Sequence, residues 1–161
     1  MRGLGIPRLR SWEEINYLSH RMSAPPFNDR DFPVPTGEGL DGALGIVIES
    51  VGDGRVTGKM PVEKRIQQPY GVVHGGAHAS LAETLASAGT YQAVYEDGKI
   101  ALGMANQTQF LRSATEGTVH GEAVAIHRGS TTWIWDVTLR DDDGRVLAVS
   151  RVTIAVRPAA R

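Results

Sequence analysis

Hydrophobic positions along the chain change period several times, and each change marks an element. Trp12, Ile15, Leu18 and Met22 recur at helical spacing behind Ser11 and Glu14, which form an S-x-x-E capping box. Pro25 and Pro26 close that helix near Ser23. A connector rich in proline and glycine follows to Gly42, with Pro33, Pro35, Gly37 and Gly39. The period then drops to two. Leu44, Ile46 and Ile48 alternate in a strand from Ala43 to Ser50, and a turn over Val51–Gly54 leads to a second strand from Gly54 to Met60. After a loop from Pro61 to Tyr70, one long helical segment runs from about Gly75 to Tyr95. Four strands complete the chain: Ile100–Leu111, Thr118–His127, Thr131–Leu139 and Arg145–Val156. In the third of these, Trp133, Trp135, Val137 and Leu139 alternate with Thr132, Ile134, Asp136 and Thr138. The tight Asp141-Asp142-Asp143-Gly144 link makes the last two a hairpin.

Strands joined by short turns imply an antiparallel sheet, and one long helix must be buried against it, so the fold class is α+β. The long helix carries almost no charge. Between His74 and Tyr95 it is mostly Gly, Ala and Ser, with Leu81 and Leu85 as its bulky apolar residues and Glu83 as its only charge. A surface helix would show a charged stripe. Small side chains on nearly every face suit a helix enclosed by a sheet at close range. The division expected is an N-terminal helix and connector over residues 1–42 and a single domain over 43–161.

Composition narrows the function. The chain has 161 residues, 17 Lys+Arg against 18 Asp+Glu, a net charge of −1 and no cysteine. Near-neutral charge argues against a dedicated nucleic-acid binder. The absence of cysteine removes disulfides, zinc–thiolate sites and thiol nucleophiles. The N-terminus has no apolar signal core, and no apolar run approaches the roughly 20 residues of a membrane span. A soluble cytoplasmic protein is the expectation.

Two features can carry chemistry. Glu83 either marks a solvent face of the helix or sits as a carboxylate in a partly dry pocket, where burial tunes it for acid–base work. Ser87, one turn later, is within hydrogen-bonding reach of it. Gly71-Val72-Val73-His74-Gly75-Gly76 stands at the helix start, where bare backbone N–H groups meet the positive end of the helix dipole. Such groups stabilise an oxyanion, although glycines there also simply make a turn. Gly75 and Glu83 lie eight residues apart, about 12 Å along a helix. If both act on one carbonyl, the glycine of one chain must meet the glutamate of another across a twofold axis.

Other patterns fall away. His74 and His78 have the H-x-x-x-H spacing of zinc hydrolases but lack the intervening glutamate, so no metal is expected. Gly37-x-Gly39-x-x-Gly42 lacks the strand before it and the helix after it that a dinucleotide site needs. There is no nucleophile-elbow serine and no phosphate-binding P-loop. Arg112, Arg128, Arg151, Arg157 and Arg161 are scattered cations.

Gln68-Pro-Tyr-Gly-Val-Val-His74-Gly75-Gly76, followed by Leu81-Ala82-Glu83, resembles the hotdog-fold acyl-CoA thioesterases. In that fold an antiparallel sheet wraps one central helix. The resemblance runs from about Leu44 to Pro158 and includes Phe110-Leu111-Arg112, Gly121-Glu122-Ala123-Val124 and Gly129-Ser130-Thr131-Thr132-Trp133. It is nearest to the 4-hydroxybenzoyl-CoA and phenylacetate-pathway (PaaI-like) type, which carries a catalytic glutamate on the central helix.

The resemblance implies hydrolysis of a CoA thioester, with an aromatic acyl group, by a homodimer with shared active sites that pairs into a tetramer. Glu83 would be nucleophile or general base, and the Gly75 amide of the partner chain would polarise the carbonyl. Gln68 would orient the leaving thiolate or substrate, His74 would shape the site, and Ser87 would position water. Arg112, Ser130 and Thr131 would contact the CoA moiety. No metal or organic cofactor is implied, since CoA enters as part of the substrate. The chain departs from the family at His78, where an aromatic is usual, at Ser113 beside Arg112, where a proline is usual, and in a C-terminal tail short of one arginine. An acyl-CoA dehydratase on the same fold and a non-catalytic acyl-CoA-binding module are the alternatives.

Overall fold

The computed structural model describes residues 37–159, so the expected helix from Ser11 to about Ser23 lies outside the described residues. Two α-helices and six strands, with short 3-10 turns at Lys64–Ile66 and Tyr95–Asp97, make up the regular structure of the described residues. They are α1 (Gly39–Leu44), β1 (Val47–Gly52), β2 (Arg55–Pro61), α2 (Gly75–Val94), β3 (Lys99–Phe110), β4 (Thr118–Arg128), β5 (Thr132–Arg140) and β6 (Val146–Pro158). The strands form one antiparallel sheet in the order β1-β2-β4-β5-β6-β3. The sheet curves around α2, which packs on all six strands. This is the hotdog arrangement.

The alternation in β5 is realised in full: Trp133, Trp135, Val137 and Leu139 are buried, while the residues between them face outward and are half-buried. Burial of those inward side chains supplies the driving force, at roughly 25 cal/mol per Å² of apolar surface removed from water. Small residues on α2 then set how closely the helix approaches. A side chain at Gly89 would stand 2.5 Å from the Trp135 ring and 2.6 Å from Val56. Where the helix is bulky the sheet is not, for Leu85 packs on Gly58 of β2 and Gly121 of β4. Trp135 is fully buried, and its Nε1–H donates to Thr90 Oγ1 at 2.9 Å. The Thr90 hydroxyl in turn donates to the Ala86 carbonyl at 2.9 Å, so the one polar group of that indole is satisfied inside the core.

One expected element is different. The strand expected from Ala43 begins only at Val47, because residues 39–44 form α1. Gly45, at φ +72°, ends α1 in the left-handed conformation. Leu44 and Ile48 still pack on the core, but Leu44 does so from a helix. Alternation over three residues cannot separate a helix end followed by a strand from one continuous strand. The same segment is the Gly37-x-Gly39-x-x-Gly42 run, so a short helix, not a strand, follows its first glycine.

β3 is an edge strand. Among the described residues it pairs only with β6, over eleven residue pairs, and its other edge is open. A bulge between Gly103 and Ala105 places Met104 outside the ladder. Leu102 and Met104 are 49% and 58% exposed on this strand.

Candidate active site

The turn before α2 is tied down by its backbone. The Gln68 N–H donates to the Val72 carbonyl at 2.7 Å and the Gly71 N–H to the Gln68 carbonyl at 2.8 Å. The Val73 N–H reaches the Ala114 carbonyl and the His74 N–H the Ile66 carbonyl. Gly71, at φ +84°, takes a conformation that a side chain would strain. His74 is the N-cap of α2: its Nδ1 accepts from the Gly76 N–H at 2.8 Å. An accepting Nδ1 puts the proton of the neutral ring on Nε2. The two glycine amides are therefore not equivalent. Gly76 is capped, whereas the Gly75 N–H has no acceptor among the described residues. Gly75 stands at the positive end of a 20-residue helix, and a Cβ there would lie 2.9 Å from the Phe110 ring.

Glu83 lies eight residues on, at the edge between helix and β3. It is half-buried, and its carboxylate reaches over β3 where the strand has Gly103; any side chain there would overlap Oε1. Its other oxygen, Oε2, accepts from Asn106 Nδ2 at 3.2 Å. The carboxylate opens on a cavity of about 570 Å³ lined by Leu40, Ala79, Ser80, Thr84, Asn106, Thr108 and Phe110. α1 closes one side of this cavity, with Thr84 Oγ1 donating to Asp41 Oδ1 at 2.8 Å. Between the two readings of Glu83, the structure shows a half-buried carboxylate held against a strand beside a cavity. Ser87 is half-buried and makes no hydrogen bond to Glu83; the donor is Asn106 on another element. A carboxylate with a fixed donor, an adjoining cavity and a bare helix-terminal amide on the same helix are the parts of an acyl-transfer site.

Residues 70–148 match the family model described as the thioesterase superfamily. A 1,4-dihydroxy-2-naphthoyl-CoA hydrolase of Escherichia coli is 37% identical over 74% of this chain and 88% of its own. A proofreading thioesterase, EntH, of Cronobacter sakazakii is 36% identical over 70% of this chain and 82% of its own. The crystal structure of a mutant of thioesterase PA1618 from Pseudomonas aeruginosa superposes with a TM-score of 0.72 at 31% identity, over 95% of this chain and 98% of that one. The chain belongs to the thioesterase superfamily. It is a hydrolase of that superfamily.

This thioesterase does not gather all its candidate residues within one chain. Arg112 is exposed just beyond β3, where its N–H donates to the Leu147 carbonyl at 3.0 Å. Ser130 and Thr131 are exposed in the β4–β5 turn, where the Thr131 carbonyl accepts from the Val156 N–H at 2.9 Å. Leu147 and Val156 are nine residues apart on β6, about 30 Å at roughly 3.3 Å per strand residue. Arg112 therefore lies at the Gly75 end of the molecule and Ser130–Thr131 at the opposite end, with Glu83 between them. Gln68 is half-buried in the loop before α2, on the Gly75 side.

His78 is buried, 3% exposed, with its ring stacked on Phe110 at 6.3 Å between centroids. Burial pushes its pKa below the ordinary histidine value. Among the described residues no group of three or more His, Asp and Glu side chains is placed to hold a metal ion. No described helix is long and apolar enough to cross a membrane.

Sequence reasoning missed Gly103, Asn106 and Thr108. The available signal was a loss of period: Asn106-Gln107-Thr108-Gln109 is polar on both faces of a strand whose neighbours are not. Two polar residues at inward positions of a sheet mark something other than core.

Proposed function

We propose that this thioesterase hydrolyses acyl-CoA thioesters with an aromatic acyl group, using Glu83 as the reacting carboxylate in a site built by two chains. The observation that carries this reading is the Glu83 carboxylate, held beside the cavity by Asn106 and given room by Gly103. In the reaction the thioester carbonyl seats its oxygen on the Gly75 N–H of the second chain. Glu83 then either takes a proton from the water that attacks the carbonyl carbon, or attacks it itself to give a mixed anhydride that water hydrolyses, restoring the carboxylate; in both cases the C–S bond breaks, CoA leaves as thiolate, and the acid is released. His74 contributes by capping α2, which leaves the Gly75 amide as the first free donor. Gln68 orients the leaving group, and Ser87 positions water. Arg112 of one chain and Ser130 and Thr131 of the other bind the CoA moiety.

Distances support the two-chain reading. Gly75 and Glu83 are about 12 Å apart on a rigid helix, beyond the span of one carbonyl. The open β3 edge, with exposed Leu102 and Met104, suits antiparallel pairing with a second copy of itself. That pairing lays two α2 helices side by side in opposite directions, each glutamate toward the other chain's helix start, and two such dimers make the tetramer. The aromatic preference rests on the Phe110 and Leu40 walls of the cavity and on similarity to a hydrolase named for a naphthoyl-CoA.

The test is Glu83→Gln with thiol release as readout, over benzoyl-, hydroxybenzoyl-, phenylacetyl- and straight-chain CoA thioesters. The expected result is faster turnover of the aromatic esters by the natural chain, and a loss of roughly 10³-fold in the variant with its fold intact. Unchanged turnover in the variant removes Glu83 from the mechanism. A monomeric, fully active enzyme in solution removes the shared site.

A further inference from the structure

Glu83 is an arm with three rotatable side-chain bonds, and a reacting carboxylate must be aimed. The structure has a device for this on β3 and β6 that neither the helix nor the loop before it supplies. Asn106 Nδ2 lies 3.2 Å from Glu83 Oε2 and 2.9 Å from the Ala79 carbonyl oxygen. Both partners are acceptors, so both hydrogens of the amide nitrogen are in use. The amide oxygen faces Thr108 Oγ1 at 2.7 Å. Turning the amide over would set its oxygen against two acceptors, so its orientation is fixed by its neighbours.

The next link is fixed by counting hydrogens. A hydroxyl has one. Thr108 gives its hydrogen to Asn106 Oδ1, so the 2.7 Å contact between Thr108 Oγ1 and Ser150 Oγ must be filled by the hydrogen of Ser150. Ser150 is 4% exposed and directly opposite Thr108 in the β3–β6 ladder. Every donor therefore points one way, from Ser150 to Thr108 to Asn106 to Glu83. A chain of this kind, polarised in one direction and rooted in the buried Ser150, strengthens its terminal bond.

We propose that Asn106 is the positioning residue for Glu83, held in place by Thr108 and Ser150, and that Oε1 is thereby the reacting oxygen. Oε2 is occupied by Asn106. Oε1 lies over Gly103 with no donor among the described residues, and the bulge at Met104 begins at that glycine. The strand thus does two things at adjacent positions: Asn106 holds one oxygen, and Gly103 leaves the other clear. This rests on the reading of Glu83 as the reacting carboxylate.

The test is a graded series measured for kcat, KM and thermal melting, alongside Glu83→Gln. Asn106→Leu removes both donors and is expected to lower kcat roughly a hundredfold with KM within about twofold of the natural chain, since small displacements of a reacting group cost that much. Thr108→Val keeps shape but removes the hydrogen bond that holds the amide oxygen, and is expected to lower kcat about tenfold. Thr108→Ser restores the hydroxyl and is expected to restore kcat, and Ser150→Ala is expected to give the smallest loss. If Asn106→Leu does not fold, the valine and serine variants at Thr108 carry the test alone. Natural kcat in Thr108→Val overturns the proposal, as does equal loss in Thr108→Val and Thr108→Ser, or a loss confined to KM. If Glu83→Gln is inactive while Asn106→Leu keeps full kcat, the positioning proposal fails and the role of Glu83 stands. If Glu83→Gln is fully active, it is the role of Glu83 that fails.

Discussion

β5 and β3 belong to one sheet, yet they are built to opposite ends. β5 lies between β4 and β6, and its inward face is Trp133, Trp135, Val137 and Leu139, all buried. β3 lies at the edge, and its inward face runs Gly103, Asn106, Thr108 and Phe110, none of which is fully buried. One strand has apolar bulk wherever the helix must be gripped. The other puts a gap, an amide, a hydroxyl and a ring beside a carboxylate. Strand β5 therefore holds the fold and β3 borders the candidate site, and α2 lies between them with apolar and small residues toward β5 and Glu83 toward β3.

The sharpest way to break that comparison is to damage each strand and read both stability and turnover. Trp135→Ala empties the largest fully buried side chain and takes away the partner of Thr90. It is expected to cost about 3–5 kcal/mol of unfolding free energy, measured by chemical denaturation. Turnover per folded molecule should stay near that of the natural chain. Equal loss of turnover and stability would mean that β5 also shapes the site.

Gly103→Ala is the reciprocal experiment. Its methyl group would overlap Glu83 Oε1, so the carboxylate must swing away. Because Gly103 is exposed on an edge strand, the cost to stability should be within about 0.5 kcal/mol. The loss should fall on kcat, by roughly a hundredfold, as for other displacements of a reacting group. An active Gly103→Ala enzyme would show that the close pass of strand and carboxylate is packing alone.

The same contrast explains what the sequence revealed. β5 and β4 were legible because each has one mostly buried face and one more open face, and the side-chain period of two reports that directly. α2 was legible because a helix of small residues with one charge has few places to sit. Glu83 and the glycines at the helix start stood out for the same reason. Asn106 and Thr108 did not, because their importance comes from what faces them across space: Ser150 is 42 residues from Thr108, and Glu83 is 23 from Asn106. α1 was misread because Leu44, Ile46 and Ile48 reach the core at strand-like spacing although a helix end separates the first from the others. Local inconsistency with a strand pattern, as in β3, is where a functional surface is expected.

His78 gives the smallest effect and tests the border between the two regions. It sits on α2 behind Phe110, packed like a core residue although it is a histidine. Its Nε2 is buried and has no hydrogen-bond partner among the described residues. Burial lowers its pKa in the folded state, so folding favours the neutral ring. Between its lowered folded value and the ordinary value near 6.5 the unfolded chain binds a proton that the folded chain does not. Stability should therefore rise with pH up to that value and level off above it, since stability rises with pH wherever the unfolded state holds more protons. His78→Phe removes the titrating group and the unpaired nitrogen while keeping a ring against Phe110. Thermal melting of the variant should be higher than that of the natural chain, by more at pH 5 than at pH 8. A gain equal at both pH values would mean that the ring titrates alike in the folded and unfolded chains, and that His78 acts on stability by shape alone.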